Sequence, residues 1–202
     1  WVMPALAGSY FASRQNKPLL WFGLLIIILS CRDGLILVVL GLGLEQIIHR
    51  KWIWATAAIG LALSWLGILN KWVYPSLTGH SSGPKAASGL FSYLGNSFNE
   101  ILLNAITKPN LIIDNIDWNG GLIYLLLISV AVAPLWRKAS LPTLIGCLPL
   151  VVVNLLSEAS PQRTLIHHYS LPIAVIVVVA AIDGLSEESQ RQIPWRILCW
   201  SA

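Results

Sequence analysis

The chain has 202 residues, of which 56% are apolar and 11% charged, with ten tryptophans and a formal charge of +4. A soluble domain carries about 25% charged residues, so a share this low excludes an ordinary soluble domain and makes the lipid bilayer the expected partner. The basic residues lie in pairs between apolar runs, as they do in cytoplasmic loops of membrane proteins, and this pattern argues against nucleic acid.

The chain opens at Trp1, inside an apolar stretch and without Met. No charged segment leads into an apolar run with a small-residue cleavage site, so no signal peptide is read. The sequence reads as the C-terminal part of a longer protein. Cys31, Cys147 and Cys199 lack metal-ligand spacing and are taken as unpaired, with Cys147 a small buried hydrophobe.

A membrane-spanning helix needs about 20 apolar residues. Residues 1–12 read as the tail of one such helix. Residues 18–30 and 34–48 are short for spans, since a 13-residue helix covers about 20 Å of a hydrocarbon core of about 30 Å. They flank the charged tetrapeptide Cys31-Arg-Asp-Gly34 and are expected to form a helical hairpin whose tip stays close to the membrane. The run from Trp52 to Trp72 is a clean span, with Trp52, Trp54 and Trp72 as aromatic anchors at its ends.

Residues 73–120 form a long connection. Its first part, 75–84, is rich in Ser and Gly and reads as a loop. Ser88, Ser92, Asn96, Glu100 and Asn104 then recur every four residues opposite Leu90, Phe91, Leu94, Phe98, Ile101 and Leu102. That periodicity predicts an amphipathic helix lying flat on the membrane surface and ended by Lys108-Pro109. Further spans are expected at 121–136, 141–156 and 171–185. The fold class is therefore all-α: a polytopic transmembrane bundle over 1–185, with a tail over 186–202.

Alternate loops set the orientation. Arg14, Lys17, Arg50, Lys51, Arg137 and Lys138 fall in one set without an acid. In the other set Arg32, Lys71, Lys85, Lys108 and Arg163 are matched by Asp33, Glu100, Asp114, Asp117 and Glu158. The positive-inside rule places the first set, and the tail, in the cytoplasm of a cell-membrane protein. The loops 73–120 and 157–170 then lie outside.

Three groups of polar residues on the outer side could carry chemistry. Arg32 and Asp33 sit at a hairpin tip near the bilayer, where charges usually face a cavity or a partner. They read equally as a mutual ion pair closing a turn and as a phosphate-binding site, since the planar guanidinium fork suits phosphate. Glu158, Arg163, His167, His168 and Tyr169 form a second cluster; adjacent histidines can move protons but lack the spacing of a helical zinc site, and a solvated loop is the alternative. Asp114 and Asp117 could hold a divalent cation, although Asp117 is placed as a helix cap. Lys108 could meet an anionic head group or snorkel. No nucleotide loop, nucleophile elbow or zinc motif is present.

The stretches Arg32-Asp-Gly, Gly41-Leu-Gly-Leu, Tyr93-Leu-Gly-Asn-Ser, Asn154-Leu-Leu-Ser and His168-Tyr-Ser together resemble a bacterial membrane-protein family, domain of unknown function 2079, and its cyanobacterial members in particular. The resemblance runs over about residues 1–185. That family looks related to the C-type glycosyltransferases, which take sugars from polyprenyl-phosphate carriers. The resemblance implies catalysis at the external face with a carboxylate base in the first external loop, a loop that would precede Trp1. It leaves Asp33 as the candidate catalytic residue within this chain. Arg32, Arg163, His167, His168 and Lys108 are the candidates for binding the donor, and a divalent metal ion could assist. Many family members carry an acid beside the Asp33 position, where this chain has Arg32.

Overall fold

The computed structural model describes residues 1–78 and 89–189. Lys85, Ser88, Cys199, most of the loop read over 75–84 and the tail beyond 189 fall outside them. Among the described residues the regular elements are helices and helical turns, without a strand. In chain order they are α1 (Val2–Arg14), α2 (Pro18–Cys31), α3 (Ile36–Ile48), α4 (Trp52–Ile68), α5 (Tyr74–Thr78), α6 (Phe98–Thr107), α7 (Pro109–Asn115), α8 (Trp118–Ser129), α9 (Leu141–Leu156) and α10 (Leu171–Ser189).

Six of these close on one another. The packing runs α2–α1–α10–α9–α3–α4 and returns from α4 to α2, where Trp21 meets Trp54 with ring centroids 4.9 Å apart. Leu6, Leu25, Ile28, Val38, Leu42, Ile173 and Ile176 are buried among them, while the outward faces carry exposed Leu, Ile and Val. Apolar side chains turned both inward and outward suit a bundle set in lipid. Among the described residues three helices are long and apolar enough to cross a membrane, Trp52–Leu77, Lys138–Leu156 and His168–Ser186. The first runs unbroken because α4 continues through a π-helical turn, Leu69–Val73, into α5.

α3 lies between α4 and α9, and its glycines explain how. A methyl group at Gly41 would overlap the carbonyl of Gly146 in α9, and one at Gly43 would come within 2.9 Å of Ile59 in α4. Small residues on two faces let the backbones approach where hydrocarbon supplies no hydrophobic drive. This packing also opens the hairpin expected of α2 and α3. α3 is drawn to α4 and α9, α2 is drawn to α1, and the two arms touch only lightly. Between them Arg32 is extended (φ −166°, ψ 144°) and Asp33–Leu35 form a 3₁₀ turn.

The connections α1–α2 and α3–α4 are the same turn. Asn16 (φ 51°) and Arg50 (φ 58°) take the left-handed conformation, and the amides of Lys17 and Lys51 each donate to a carbonyl five residues back, on Ala12 and Gln46. This is the Schellman closure of a helix C-terminus.

Two expected elements are shorter than the sequence reading. The span read over 121–136 ends at Ser129, because Pro134 cannot donate to the carbonyl of Val130 and clashes with a continued helix. The chain instead folds under α10 through the 3₁₀ turns Ala133–Leu135 and Lys138–Ser140, with Trp136 Nε1 donating to the Val177 carbonyl at 3.2 Å. α7 and α8 meet at 77°. The amphipathic helix expected through 88–104 is interrupted: residues 89–90 are helical, 91–97 are not, and a new helix starts at Phe98. Gly95 has φ +150°, which breaks the helix. Ser97 then caps the new start, accepting from the Glu100 amide at 3.3 Å, while the Glu100 carboxylate accepts from the Asn96 amide at 3.0 Å. Its end at Lys108-Pro109 is as expected.

The bundle has two polar ends. Arg14, Lys17, Arg50, Lys51, Arg137 and Lys138 flank helix termini that meet at one end, where Lys51 Nζ donates to Asn16 and to the Ser13 carbonyl and Ser140 Oγ donates to the Ala180 carbonyl at 2.5 Å. The other end brings together the tip between α2 and α3, the end of α5, residues 89–117 and the loop 157–170.

Candidate functional site

The site is built at this second end. Arg32 caps the C-terminus of α2, and its extended backbone sends the side chain away from its neighbour. The guanidinium carbon stands 4.7 Å from the centroid of the Tyr169 ring, a cation–π geometry. Asp33 turns the other way. Its Oδ2 accepts from the Tyr74 hydroxyl at 2.8 Å, and its Oδ1 accepts from the Gly34 amide at 2.8 Å. The mutual ion pair is not formed among the described contacts. Each member of the dipeptide is held by a different tyrosine, and both remain exposed.

Residues 157–170 follow α9 and are folded by their own polar groups. Ser157 Oγ accepts from the Ala159 amide at 3.1 Å, and Ser170 Oγ donates to the Thr164 carbonyl at 3.1 Å. Thr164 Oγ1 lies 2.8 Å from His167 Nδ1. The rings of His168 and Tyr169 stack, with centroids 4.4 Å apart, so Arg32, Tyr169 and His168 form one layered group. The tip and the loop, far apart in sequence, thus share a surface. Their convergence is the arrangement the loop alternation predicts.

Arg163 stands apart from this layer. Its side chain is 8% exposed and donates to the Ser157 carbonyl and to Asp117 Oδ2 at 3.4 Å. Asp117 also caps α8, its Oδ1 accepting from the Gly120 amide at 2.9 Å. One carboxylate therefore starts a helix and anchors the loop. A second clamp joins Glu158 to the connection before α6: it accepts from Ser92 Oγ at 2.8 Å and from the Tyr93 amide at 2.9 Å. The Tyr93 hydroxyl donates to the Leu156 carbonyl at 2.8 Å; its pKa is raised, by burial first and then by the Glu158 charge.

Lys108 lies at the junction of α6 and α7, exposed, and none of its described contacts reaches the Arg32–Tyr169 layer. Asp114 is exposed on α7. Among the described residues no three His, Cys, Asp or Glu side chains stand close enough to hold a metal ion together.

The whole length of this arrangement has a counterpart in a family. The model of the family described as Predicted membrane protein (DUF2079) matches residues 1–202. The chain belongs to that family. No curated protein and no solved structure matches it. Within a DUF2079 chain the five sequence stretches noted above take distinct parts. Arg32-Asp-Gly and His168-Tyr-Ser meet at the polar end. Gly41-Leu-Gly sets the position of α3, and Asn154 donates to the Tyr124 hydroxyl at 3.1 Å between α9 and α8.

Tyr74 was not singled out by the sequence. Tyr74 follows the Trp-flanked span directly and resembles another aromatic belt residue; only the fold reveals Asp33 beside it.

Proposed function

We propose that this DUF2079 protein is part of a membrane glycosyltransferase that takes a sugar from a polyprenyl-phosphate carrier at the external face. The observation that carries the reading is the layer of exposed Arg32, half-buried Tyr169 and exposed His168, set beside the ionisable Asp33 at the end of a bundle with an apolar exterior. A carrier lipid lays its chain in the bilayer and its phosphate at the surface. A guanidinium fixed by an aromatic face still offers its edge N–H groups to phosphate, and charge-assisted hydrogen bonds of this kind are strong. His168 supplies a second donor. Arg163, grouped with them in the sequence reading, serves as the anchor of the loop, while His167 and Lys108 remain further candidates for meeting the donor. Asp33, fixed by Tyr74, orients the acceptor or balances Arg32. The basic end faces the cytoplasm by the positive-inside rule.

The test is transfer of labelled sugar from a panel of polyprenyl-phosphate donors by the full-length protein in membranes. Transfer by wild type and its loss in Arg32→Ala at equal membrane expression are expected. An Arg32→Ala variant with full activity overturns the assignment.

One observation favours a second reading, a transporter: the helix pair α7–α8, broken at 77°, is the kind of interruption transporters place at a binding site. Movement of a sugar lipid across the membrane without any transfer product would select it.

A further inference from the structure

The opposite, basic end of the bundle holds a polar group of its own, between α1, α3, α9 and α10. Glu45 lies in the last turn but one of α3 and is 3% exposed, with its Cβ against the Gly146 position of α9. Its Oε1 is 3.5 Å from Thr143 Oγ1 and 3.8 Å from His49 Nε2. Its Oε2 has no hydrogen-bond partner among the described residues. The Thr143 hydroxyl has one proton, and Asp183 takes it: Oγ1 to Oδ2 is 2.7 Å. The nearest guanidinium is also committed to Asp183, with Arg14 Nη2 2.5 Å from the same oxygen. Tyr10 of α1, 2% exposed, has a hydroxyl without a described partner, and the Arg14 guanidinium that binds Asp183 lies 5.4 Å from its ring centroid. α4, the remaining neighbour of α3, turns Ala55 and Ala58 to it.

Charge and hydrogen-bond capacity do not balance here. Two carboxylates share one hydroxyl and one guanidinium, and both of those serve Asp183. Glu45 is left as a buried acid with an open oxygen, and such a group inside an apolar bundle is costly unless a positive charge joins it. Among its described contacts only His49, whose side chain is 45% exposed, connects it to the surface.

We propose that Glu45 anchors a buried binding site for a single positive charge, a proton or a monovalent cation such as Na+, loaded from the basic end past His49 and closed by the unpartnered Tyr10 hydroxyl. The ligand supplies the positive charge that the half-exposed His49, 3.8 Å away, offers only when protonated. The site lies at the opposite end of the bundle from the Arg32 layer and takes no part in the transfer reaction.

Infrared difference spectra of the purified protein in lipid nanodiscs, titrated with acid and separately with NaCl against choline chloride, test the site on wild type and Glu45→Gln. If a proton fills it, wild type shows the carbonyl band of a protonated carboxyl that is indifferent to Na+ and missing from Glu45→Gln. If a cation fills it, the ionised carboxylate bands of wild type shift on adding Na+ and those of Glu45→Gln do not. Spectra alike for the two proteins in both titrations overturn the proposal. Labelling wild type with 13C-glutamate makes the same measurement without a substitution, should the Gln variant fail to insert. In the proton case His49→Gln keeps the band and slows its hydrogen–deuterium exchange by about 100-fold.

Discussion

The Arg32 guanidinium lies over the Tyr169 ring at 4.7 Å, joining the tip between α2 and α3 to the start of α10. The contact needs the ring and not the hydroxyl. Tyr169→Phe is therefore expected to retain lipid-phosphate binding, and Tyr169→Leu to weaken it by about 0.5–1 kcal/mol, the value of an exposed cation–π pair. Arg32→Lys should fall between, since an ammonium keeps the charge and loses the planar fork. Equilibrium binding of a fluorescent polyprenyl phosphate to the four proteins gives the order; equal affinity for Tyr169→Phe and Tyr169→Leu would remove the ring from the account.

Tyr74→Phe takes one hydrogen bond from Asp33 and leaves the packing of α5 intact. Stability in detergent should drop by about 1 kcal/mol, measured by unfolding monitored through tryptophan fluorescence. If Asp33 matters through its position, the same variant lowers transfer activity without changing the amount of protein in the membrane.

At the crossing of α3 and α9 the glycines leave no room. Gly41→Ala is expected to cost about 1–3 kcal/mol through forced backbone shifts. Gly34→Ala, where a methyl meets nothing within 4 Å, should change stability by less than about 0.5 kcal/mol. Unfolding midpoints in mixed micelles compare them, and a Gly41→Ala protein as stable as wild type would contradict the close approach.

Asp117 does two jobs that substitution separates. Asp117→Asn keeps a good helix cap and loses the charge facing Arg163, whereas Asp117→Ala loses both, with the cap worth about 1 kcal/mol. Proteolysis of the loop 157–170 should quicken in both variants, and α8 should loosen only in the second, as read by hydrogen exchange at residues 118–121.

Much of this arrangement is written in periodicity and loop charge. Trp52, Trp54 and Trp72 mark α4, and basic pairs against acid-bearing loops bring Arg32 and His168 to one end. What escapes has physical causes. Gly95 interrupts a four-residue repeat whose spacing continues on both sides, although Ser97 and Glu100 carry the capping pattern that announces a fresh start. Pro134 ends α8 early within an uninterrupted apolar run. Glu45 and Asp183 are single acids at the margins of apolar helices, where loop counting does not look, and nothing local in the sequence says that Thr143 will stand between them.

Gly41 and Gly43 grip α3 near its middle, against α9 on one face and α4 on the other. A rod pinned at its centre can rock but cannot slide. Asp33, just before α3, and Glu45, near its far end, are thus the two tips of one lever, and any tilt that lifts the first swings the second the opposite way.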